Sequence, residues 1–258
     1  MTRAVRLRHR VDGPPGGPAL VLGPSLGTAL EMWNPQVPGL SDRWRVVRFD
    51  LRGHGRSPAP LGPYTVDALA LDVVALLDEL GLDRVAYCGL SIGGAIGQWL
   101  AVHRPDRLDS LVLCCTAARF GAAEDWWERA ARVRVQGTEW LQPAATERWF
   151  TAGFPASAPA QVQPLLRMLR TTSAEGYAAC CDALADFDLR DRLGEIRVPT
   201  RVIAGADDPA TPVSLGAELA EGIPGADLVV VPDAAHLANV EQPSAVTAAI
   251  REHLEGAS

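Results

Sequence analysis

The chain has 258 residues and a mass of 27.5 kDa, and its 48% hydrophobic and 21% charged residues are those of a globular protein rather than a disordered one. All 24 basic residues are arginine, which excludes Schiff-base chemistry, lysine-anchored pyridoxal phosphate and a P-loop lysine. The net charge of −7 argues against non-specific binding of nucleic acid, which is itself negatively charged.

The first half of the chain alternates strand-like and helix-like segments. The first two predicted strands are expected to form a hairpin, because the sequence between them, Asp-Gly-Pro-Pro-Gly-Gly, is typical of a turn. A helix is predicted from Thr65, its N-cap, to Leu80, and a second helix over residues 92–103. The βαβα order predicts an α/β fold with a mostly parallel sheet and helices on both faces. The strands of this half are predicted at residues 5–11, 19–22, 46–49, 85–90 and 108–115.

The alternation stops at about Arg119. From there to Asp186 the pattern is helical, and strands resume at residues 200–204 and 228–231. We therefore predict two segments of one core, residues 1–118 and 187–258, interrupted by a helical cap at 119–186. Because it begins where loops at the carboxyl ends of strands lie, the cap is expected to cover a binding site. The alternative is a packing appendage with no ligand contact.

No membrane or metal role is indicated. The longest uncharged stretch, residues 85–102, contains four glycines, a serine and a glutamine, which is unsuitable for a transmembrane helix. The first ten residues carry four arginines with no apolar run behind them, so we expect no signal peptide and a cytoplasmic location. The five cysteines lack Cys-x-x-Cys spacing and indicate small buried thiols in a reducing compartment. No His/Cys cluster has metal-ligand spacing.

The motif Gly89-Leu90-Ser91-Ile92-Gly93 lies between a predicted strand and a predicted helix, the context of a nucleophile elbow. In such an elbow a strained turn presents the serine hydroxyl at a helix N-terminus, and the glycines avoid a Cβ clash. The amide of Ile92 and the helix dipole would then stabilise an oxyanion. The alternative is a strand-to-helix turn with a capping serine.

A nucleophilic serine needs a base and an acid that orients the base. Among five histidines, His236 follows the last predicted strand and completes the chain order Ser…Asp…His, whereas His54 is expected to rigidify a glycine-rich loop. The alternative for His236 is a helix-start histidine with a local hydrogen bond. Asp207 and Asp208 follow the strand at 200–204, and Asp208 is our candidate acid, with Asp207 as a solvated turn residue.

A second oxyanion donor is expected in the loop Leu-Gly-Pro-Ser-Leu-Gly-Thr, which follows the second predicted strand. Its glycines and Pro24 favour a tight turn. Pro24 has no N–H to donate, so the backbone amide of Leu26 is the candidate donor.

Together these segments resemble the α/β-hydrolase family over nearly the full length, and more narrowly the 3-oxoadipate enol-lactonases of the β-ketoadipate pathway. The loop departs from the family pattern at Pro24, where a polar residue is common. The resemblance rests on "SLGT" with Trp33 downstream, "FDLRGHGRS", "GLSIGG", "CCTAARFG", "GYAACCDALADFDLR", "AGADDPATP" and "AAHLANVEQP".

The resemblance implies a serine esterase, a carboxylic ester hydrolase that opens 3-oxoadipate enol-lactone to 3-oxoadipate during the catabolism of aromatic compounds. Ser91 would attack the carbonyl, His236 would take the proton, and Asp208 would orient the imidazole. No cofactor or metal is implied, and the partner is a small lactone or ester, with no nucleic acid and no membrane. Nothing in the sequence indicates the oligomeric state.

Other functions stay open. The chain could be another small-substrate hydrolase of this fold, such as a carboxylesterase, a carbon–carbon bond hydrolase or a cofactor-free perhydrolase. A non-catalytic ligand-binding protein is disfavoured because elbow, acid and base are all present in order. A dehalogenase or epoxide hydrolase would need a carboxylate where Ser91 stands.

The implied substrate carries a carboxylate, although the protein has a net charge of −7, so a local cation is expected. Arg119 opens the predicted cap directly after a strand and is the candidate cation. Trp126 is the candidate apolar wall for the lactone ring. The alternative for Arg119 is a helix cap or an ion pair with Glu124.

Overall fold

The computed structural model describes residues 4–256, and the outer ends of the two predicted core segments, 1–3 and 257–258, lie outside the described residues. Its strands form one seven-stranded sheet in the order β1-β3-β2-β4-β5-β6-β7. Only the pairing of β1 with β3 is antiparallel. The strands are β1 (His9–Asp12), β2 (Ala19–Gly23), β3 (Arg45–Phe49), β4 (Val85–Leu90), β5 (Leu108–Cys114), β6 (Thr200–Gly205) and β7 (Asp227–Val231).

The predicted hairpin between the first two strands is wrong. β1 pairs with β3, with His9 opposite Phe49, and β2 lies between β3 and β4. The burial of the strands explains this order. Leu20, Val21 and Leu22 of β2 are fully buried, which requires a neighbouring strand on each side and cover on both faces. The strand β1 is only partly buried and therefore suits the edge of the sheet.

Helices cover both faces of the sheet, since every residue of β4 is buried. The α-helices of the described residues are α1 (Val37–Leu40), α2 (Val66–Glu79), α3 (Ile92–His103), α4 (Ala123–Gln136), α5 (Gln142–Trp149), α6 (Phe154–Ser157), α7 (Pro159–Thr171), α8 (Ala174–Ala185), α9 (Val213–Gly222), α10 (Ala238–Glu241) and α11 (Pro243–Gly256). Short 3-10 helices occur at Leu30–Trp33, Pro105–Arg107, Glu139–Leu141 and Arg190–Glu195.

The helix predicted to begin after Thr65 is confirmed. The Thr65 side chain accepts a hydrogen bond from the Ala68 amide at 3.1 Å and satisfies one of the free N–H groups of the first turn. The helix ends at Glu79, and Gly81 follows with a positive φ of 65°. Glycine adopts this left-handed conformation without the steric cost that a Cβ would bring.

Five helices, α4 to α8, lie between β5 and β6 in the chain. The helix α4 packs along α8, and α5 packs against α7. Within residues 4–256, no helix is long and apolar enough to span a membrane. The boundaries at 118/119 and 186/187 stay a prediction, and we refer to residues 119–186 as the helical cap.

Candidate active site

Ser91 occupies the turn between β4 and α3 with φ 58° and ψ −118°. A positive φ is unusual for a residue with a Cβ, and such strain costs about 1–3 kcal/mol. The Ser91 side chain makes no capping hydrogen bond to α3, which argues against the simple capping alternative. Its amide donates to the Cys114 carbonyl of β5 at 3.0 Å, so the strained turn is held by the neighbouring strand.

The glycines around Ser91 are required by close backbone contacts. A Cβ on Gly89 would lie 2.1 Å from the Gly93 carbonyl oxygen, and a Cβ on Gly93 would lie 2.5 Å from the Gly23 carbonyl oxygen. A Cβ on Gly94 would lie 2.6 Å from the Thr116 side chain. These positions exclude any side chain, and they bring the loop after β2 against the start of α3.

Asp208 and His236 form a buried hydrogen-bonded pair, with His236 Nδ1 2.9 Å from Asp208 Oδ2. The Thr211 hydroxyl donates to the same oxygen at 2.6 Å. The other carboxylate oxygen accepts hydrogen bonds from the amides of Ala210 and Thr211, at 2.8 and 3.0 Å. This arrangement holds the Asp208 carboxylate in one orientation, whereas Asp207 is exposed.

Asp208 and His236 shift each other's pKa values. Burial raises the pKa of Asp208, but the charge and hydrogen bond of His236 and the bonds from Thr211 outweigh it, so the net pKa lies below the ordinary value. Burial lowers the pKa of His236, and the Asp208 charge and hydrogen bond raise it to a net value above 6.5. His236 therefore gains basicity from Asp208.

Ser91 and His236 are far apart in the sequence, but they line the same cavity. Among the described residues, no hydrogen bond joins the Ser91 hydroxyl to the imidazole. Such bonds are often long in a ligand-free site and shorten when substrate binds. The arrangement brings a strained serine, a histidine and a buried carboxylate to one place.

The amides of Leu26 and Ile92 belong to the two segments that meet at Gly23 and Gly93. Within the described part of the chain, neither amide donates a hydrogen bond to a protein acceptor. Leu26 lines the cavity beside Ser91, and Ile92 is the first residue of α3. Two free N–H groups of this kind can accommodate an oxyanion.

His54 holds the loop that contains Leu26. Its Nε2 accepts a hydrogen bond from the Gly27 amide at 3.0 Å, while its Nδ1 lies 3.2 Å from the Arg52 carbonyl oxygen and donates to it. Burial lowers the pKa of His54 to about 4, against smaller raising effects of the Arg52 carbonyl and of Asp50. His54 is therefore neutral at pH 7, and it links its own loop to the loop after β2.

A cavity of about 410 Å³ lies between the helical cap and the sheet. Most of its wall is apolar and aromatic. These side chains are Leu26, Phe120, Trp126, Trp140, Leu141, Trp149, Leu169, Tyr177 and Leu184.

Trp126 is part of this wall, where the prediction placed it. Its indole N–H donates to the Phe120 carbonyl oxygen, and the Arg129 guanidinium lies 4.7 Å from its ring centroid. The ring therefore has a fixed orientation and carries a cation on one face.

The structure does not place Arg119 where the prediction put it: its side chain is exposed and does not line the cavity. The chain is extended here, with Arg119 bridged to Asp188 and the Leu189 amide donating to the Ala118 carbonyl at 2.9 Å. Side chains alternate in an extended segment, so Phe120 faces the cavity and Arg119 faces solvent. Arg119 forms no ion pair within residues 4–256, so the alternative pair with Glu124 is absent as well.

Two other arginines, Arg129 of α4 and Arg148 of α5, line the cavity. Neither forms a salt bridge in the described part of the chain. Burial, followed by the charge of Arg129, lowers the pKa of Arg148, while Tyr177 and then Asp125, both in the cavity wall, offset part of this effect. Over residues 4–256 the cavity thus holds two neighbouring cations and one carboxylate, Asp125, and neither arginine forms a salt bridge with it.

Sequence reasoning missed both arginines. Arg129 follows Trp126 by three residues, so the two share one helix face, and this spacing could have indicated Arg129. Arg148 carried no comparable signal. No cluster of three or more potential metal ligands occurs in residues 4–256.

A family model described as the alpha/beta hydrolase fold matches residues 18–243. This chain belongs to the α/β-hydrolase fold family. Within that family it is 45% identical to 3-oxoadipate enol-lactonase 2 of Acinetobacter baylyi, over 95% of this chain and 92% of the relative.

Two solved α/β-hydrolase structures are similarly close. The enol-lactonase from Burkholderia xenovorans LB400 is 43% identical with a TM-score of 0.94, and the match covers 96% of each chain. A thermophilic esterase from Thermogutta terrifontis, described with malate bound, is 33% identical with a TM-score of 0.93, over 97% of this chain and 93% of the esterase. The predicted fold class is therefore confirmed.

Proposed function

We propose that this enzyme is a serine hydrolase that opens the ring of 3-oxoadipate enol-lactone to give 3-oxoadipate through an acyl-enzyme. The similarity to named enol-lactonases at 45% and 43% identity supports this substrate. The observation that carries the proposal is the pair of arginines without salt bridges in an aromatic cavity that also contains Ser91 and His236. A small cyclic ester with a free carboxylate matches this cavity in charge and polarity.

The arginines suit an acidic substrate for a physical reason. The protein carries a net charge of −7, which repels anions at long range, so a carboxylate needs local cations. A guanidinium can bind a carboxylate through two parallel hydrogen bonds. We assign this contact to Arg129 and Arg148 and assign the lactone ring to the wall formed by Trp126. The related esterase, described with malate bound, accommodates a carboxylate-bearing molecule.

In the first half of the proposed reaction, the Ser91 oxygen attacks the lactone carbonyl while His236 Nε2 takes its proton. Asp208 keeps the proton on Nδ1 and stabilises the imidazolium that forms. The amides of Leu26 and Ile92 donate to the oxyanion of the tetrahedral intermediate. The bond to the ring oxygen then breaks, His236 returns the proton to the enolate, and the enol becomes a ketone.

In the second half, His236 takes a proton from water as the water attacks the acyl-enzyme carbonyl. The same amides hold the second oxyanion. The Ser91 oxygen leaves with the proton from His236, and a second carboxylate is released on the product. No redox change or co-reactant other than water is needed.

A carboxylesterase is the second candidate function. The similarity to the thermophilic esterase favours it, because the esterase and the enol-lactonase from Burkholderia xenovorans have nearly the same TM-score to this chain. The two candidates share the proposed chemistry of Ser91 and His236. They differ in whether the arginines select an acidic substrate.

Kinetics on matched substrates test the proposal. The purified protein is assayed with the enol-lactone, with the methyl ester of its carboxylate, and with simple aryl esters. We expect a kcat/KM about ten- to a hundredfold higher for the free acid than for its methyl ester, because a charge-assisted contact contributes about 1.5–3 kcal/mol. A higher kcat/KM for the aryl esters than for the lactone would identify a carboxylesterase instead.

We also propose a cytoplasmic location. All five cysteines are free and buried, as expected for thiols kept in a reducing compartment. Fractionation of the cells that produce the protein, followed by immunodetection, tests this location. Recovery in a periplasmic or secreted fraction would contradict it.

A further inference from the structure

A buried carboxylate holds the backbone just before His236. Glu241, the last residue of α10, is 7% exposed, and its Oε2 accepts a hydrogen bond from the Ala235 amide at 2.6 Å. Its Oε1 accepts two more, from the amide and the hydroxyl of Thr151, both at 2.8 Å. One side chain therefore joins the residue before His236 to the segment that follows α5.

The contacts of Glu241 use both oxygens of its carboxylate as hydrogen-bond acceptors. In the described part of the chain Glu241 has no salt bridge, so its charge is buried without a cation. Such burial is unfavourable unless hydrogen bonds satisfy the oxygens. An amide side chain has one acceptor oxygen, whereas the carboxylate has two, and both are used here to connect separate segments.

Two backbone hydrogen bonds cross the same junction. The His236 amide donates to the Arg148 carbonyl at 3.4 Å, and the Leu237 amide donates to the Trp149 carbonyl at 3.0 Å. The loop at residues 232–237, which we call the histidine loop, is thus bonded to the carboxyl end of α5. This end of the helix also carries Arg148, one of the two arginines of the cavity.

The other side of the histidine loop contacts the loop that carries Asp208. The Asp207 amide donates to the Ala234 carbonyl at 2.9 Å. A Cβ on Gly205 would lie 2.5 Å from the carbonyl oxygens of Ala234 and Ala235, which shows how closely the two loops pack. The peptide before His236 therefore lies between the Asp208 loop and Glu241.

We propose that Glu241 is a positioning residue for the reaction: through Ala235 and Thr151 it holds the His236 imidazole at its working distance from Ser91. This inference rests on the roles proposed above for Ser91 and His236. Glu241 acts on the backbone and touches no substrate. Because a displacement of about 1 Å can cost about a hundredfold in rate, small movements of this loop are enough to slow catalysis.

The main experiment uses Glu241→Gln, which keeps the shape of the side chain and removes one acceptor. We expect kcat for the enol-lactone to fall about ten- to a hundredfold with KM changed less than threefold. The second-order rate of Ser91 phosphorylation by diisopropyl fluorophosphate should fall in parallel, because it also needs His236 beside Ser91. A wild-type kcat and a wild-type phosphorylation rate in the folded variant would overturn the proposal.

Two further variants separate positioning from stability. Thr151→Val removes only the hydroxyl contact and keeps the amide contact, so it should lower both rates by a smaller factor. It decides the question if Glu241→Gln does not fold, since unchanged rates in Thr151→Val would overturn the proposal. Ile250→Ala, a buried truncation on α11, is the matched control, and it should lower the Tm while leaving both rates of the folded protein unchanged.

The phosphorylation rate makes this test independent of the substrate. If the wild type is phosphorylated at Ser91 but does not open the enol-lactone, the proposed substrate is wrong. The positioning role is still supported in that case if Glu241→Gln slows phosphorylation. If the wild type opens the lactone and Glu241→Gln behaves like the wild type in both assays, the positioning role alone is wrong.

Discussion

The carbonyl oxygen of Arg148 accepts a hydrogen bond from the His236 amide at 3.4 Å, while the Arg148 side chain lines the cavity that the imidazole faces. One residue of α5 therefore contacts the proposed base through its backbone and is available to a ligand through its guanidinium. The residue proposed to bind the substrate carboxylate is thereby connected to the backbone of His236 through one hydrogen bond.

Neutralising the cavity arginines should weaken binding of the acidic substrate specifically. We expect Arg148→Gln and Arg129→Gln each to raise KM for the enol-lactone about ten- to a hundredfold, because a hydrogen bond to a charged group contributes about 1.5–3 kcal/mol. The uncharged methyl ester should change much less. Steady-state kinetics on both substrates measure this difference.

Arg119→Gln is the matched control for the cavity arginines, since it removes the same charge from a side chain that is exposed and outside the cavity. Its KM for both substrates should equal that of the wild type. A selective loss of the acidic substrate in Arg119→Gln would mean that the carboxylate binds there and that the cavity arginines have another role.

Replacement of Ser91 should abolish turnover and expose the strain of the elbow. We expect Ser91→Ala and Ser91→Gly to lower kcat roughly a million-fold. Because Ser91 has a φ of 58°, only glycine relieves the strain, so Ser91→Gly should be more stable than Ser91→Ala by about 1 kcal/mol. Urea unfolding measures the stability difference, and more than one per cent residual turnover would contradict the nucleophile role.

The two neighbouring aspartates should differ strongly. Asp208→Asn should lower kcat about 10⁴-fold, because an amide supports the wrong imidazole tautomer. Asp207→Asn should have little effect, since its side chain is exposed. Both variants are compared in the same kinetic assay, and the opposite order would show that Asp207 is the functional acid.

The pH dependence should report the pair formed by His236 and Asp208. The pKa of His236 lies above 6.5 because the effect of Asp208 outweighs burial. A base works in its neutral form, so kcat/KM should rise with pH with a midpoint above 6.5. Asp208→Asn removes the raising charge and leaves burial, so the pKa of His236 should fall below 6.5. NMR titration of the His236 Cε1–H measures both values, and an unchanged pKa in the variant would contradict this cause.

His54 should make the protein sensitive to acid. Its pKa is about 4 in the folded state and about 6.5 when unfolded, so the unfolded chain binds the proton first as the pH falls. The folded state is fully favoured above pH 6.5 and should lose about 3 kcal/mol through this group by pH 4. His54→Gln, which cannot be protonated, should lack this loss. Urea unfolding of both proteins at pH 7 and pH 4.5 tests the difference, and equal losses would contradict it.

The sequence alone determined the features that depend on short-range sterics. The strand-turn-helix around Ser91 could be predicted because its glycines are required by close backbone contacts within the motif, such as that between Gly89 and Gly93. The cap at Thr65 also depends only on its own first turn. The parallel sheet followed from the order of strands and helices, and His236 from its place after the last strand.

The tertiary structure alone decided which distant residues meet. The sequence could not show that β3 lies beside β1, because that pairing depends on the complete burial of β2. The sequence does not distinguish Arg119 from Arg148. The alternation of an extended chain directs the Arg119 side chain to solvent, and the packing of α5 directs the Arg148 side chain to the cavity. Glu241 and Thr151 are 90 positions apart, so their contact, and the positioning role inferred from it, arise only when the helical cap folds against the histidine loop.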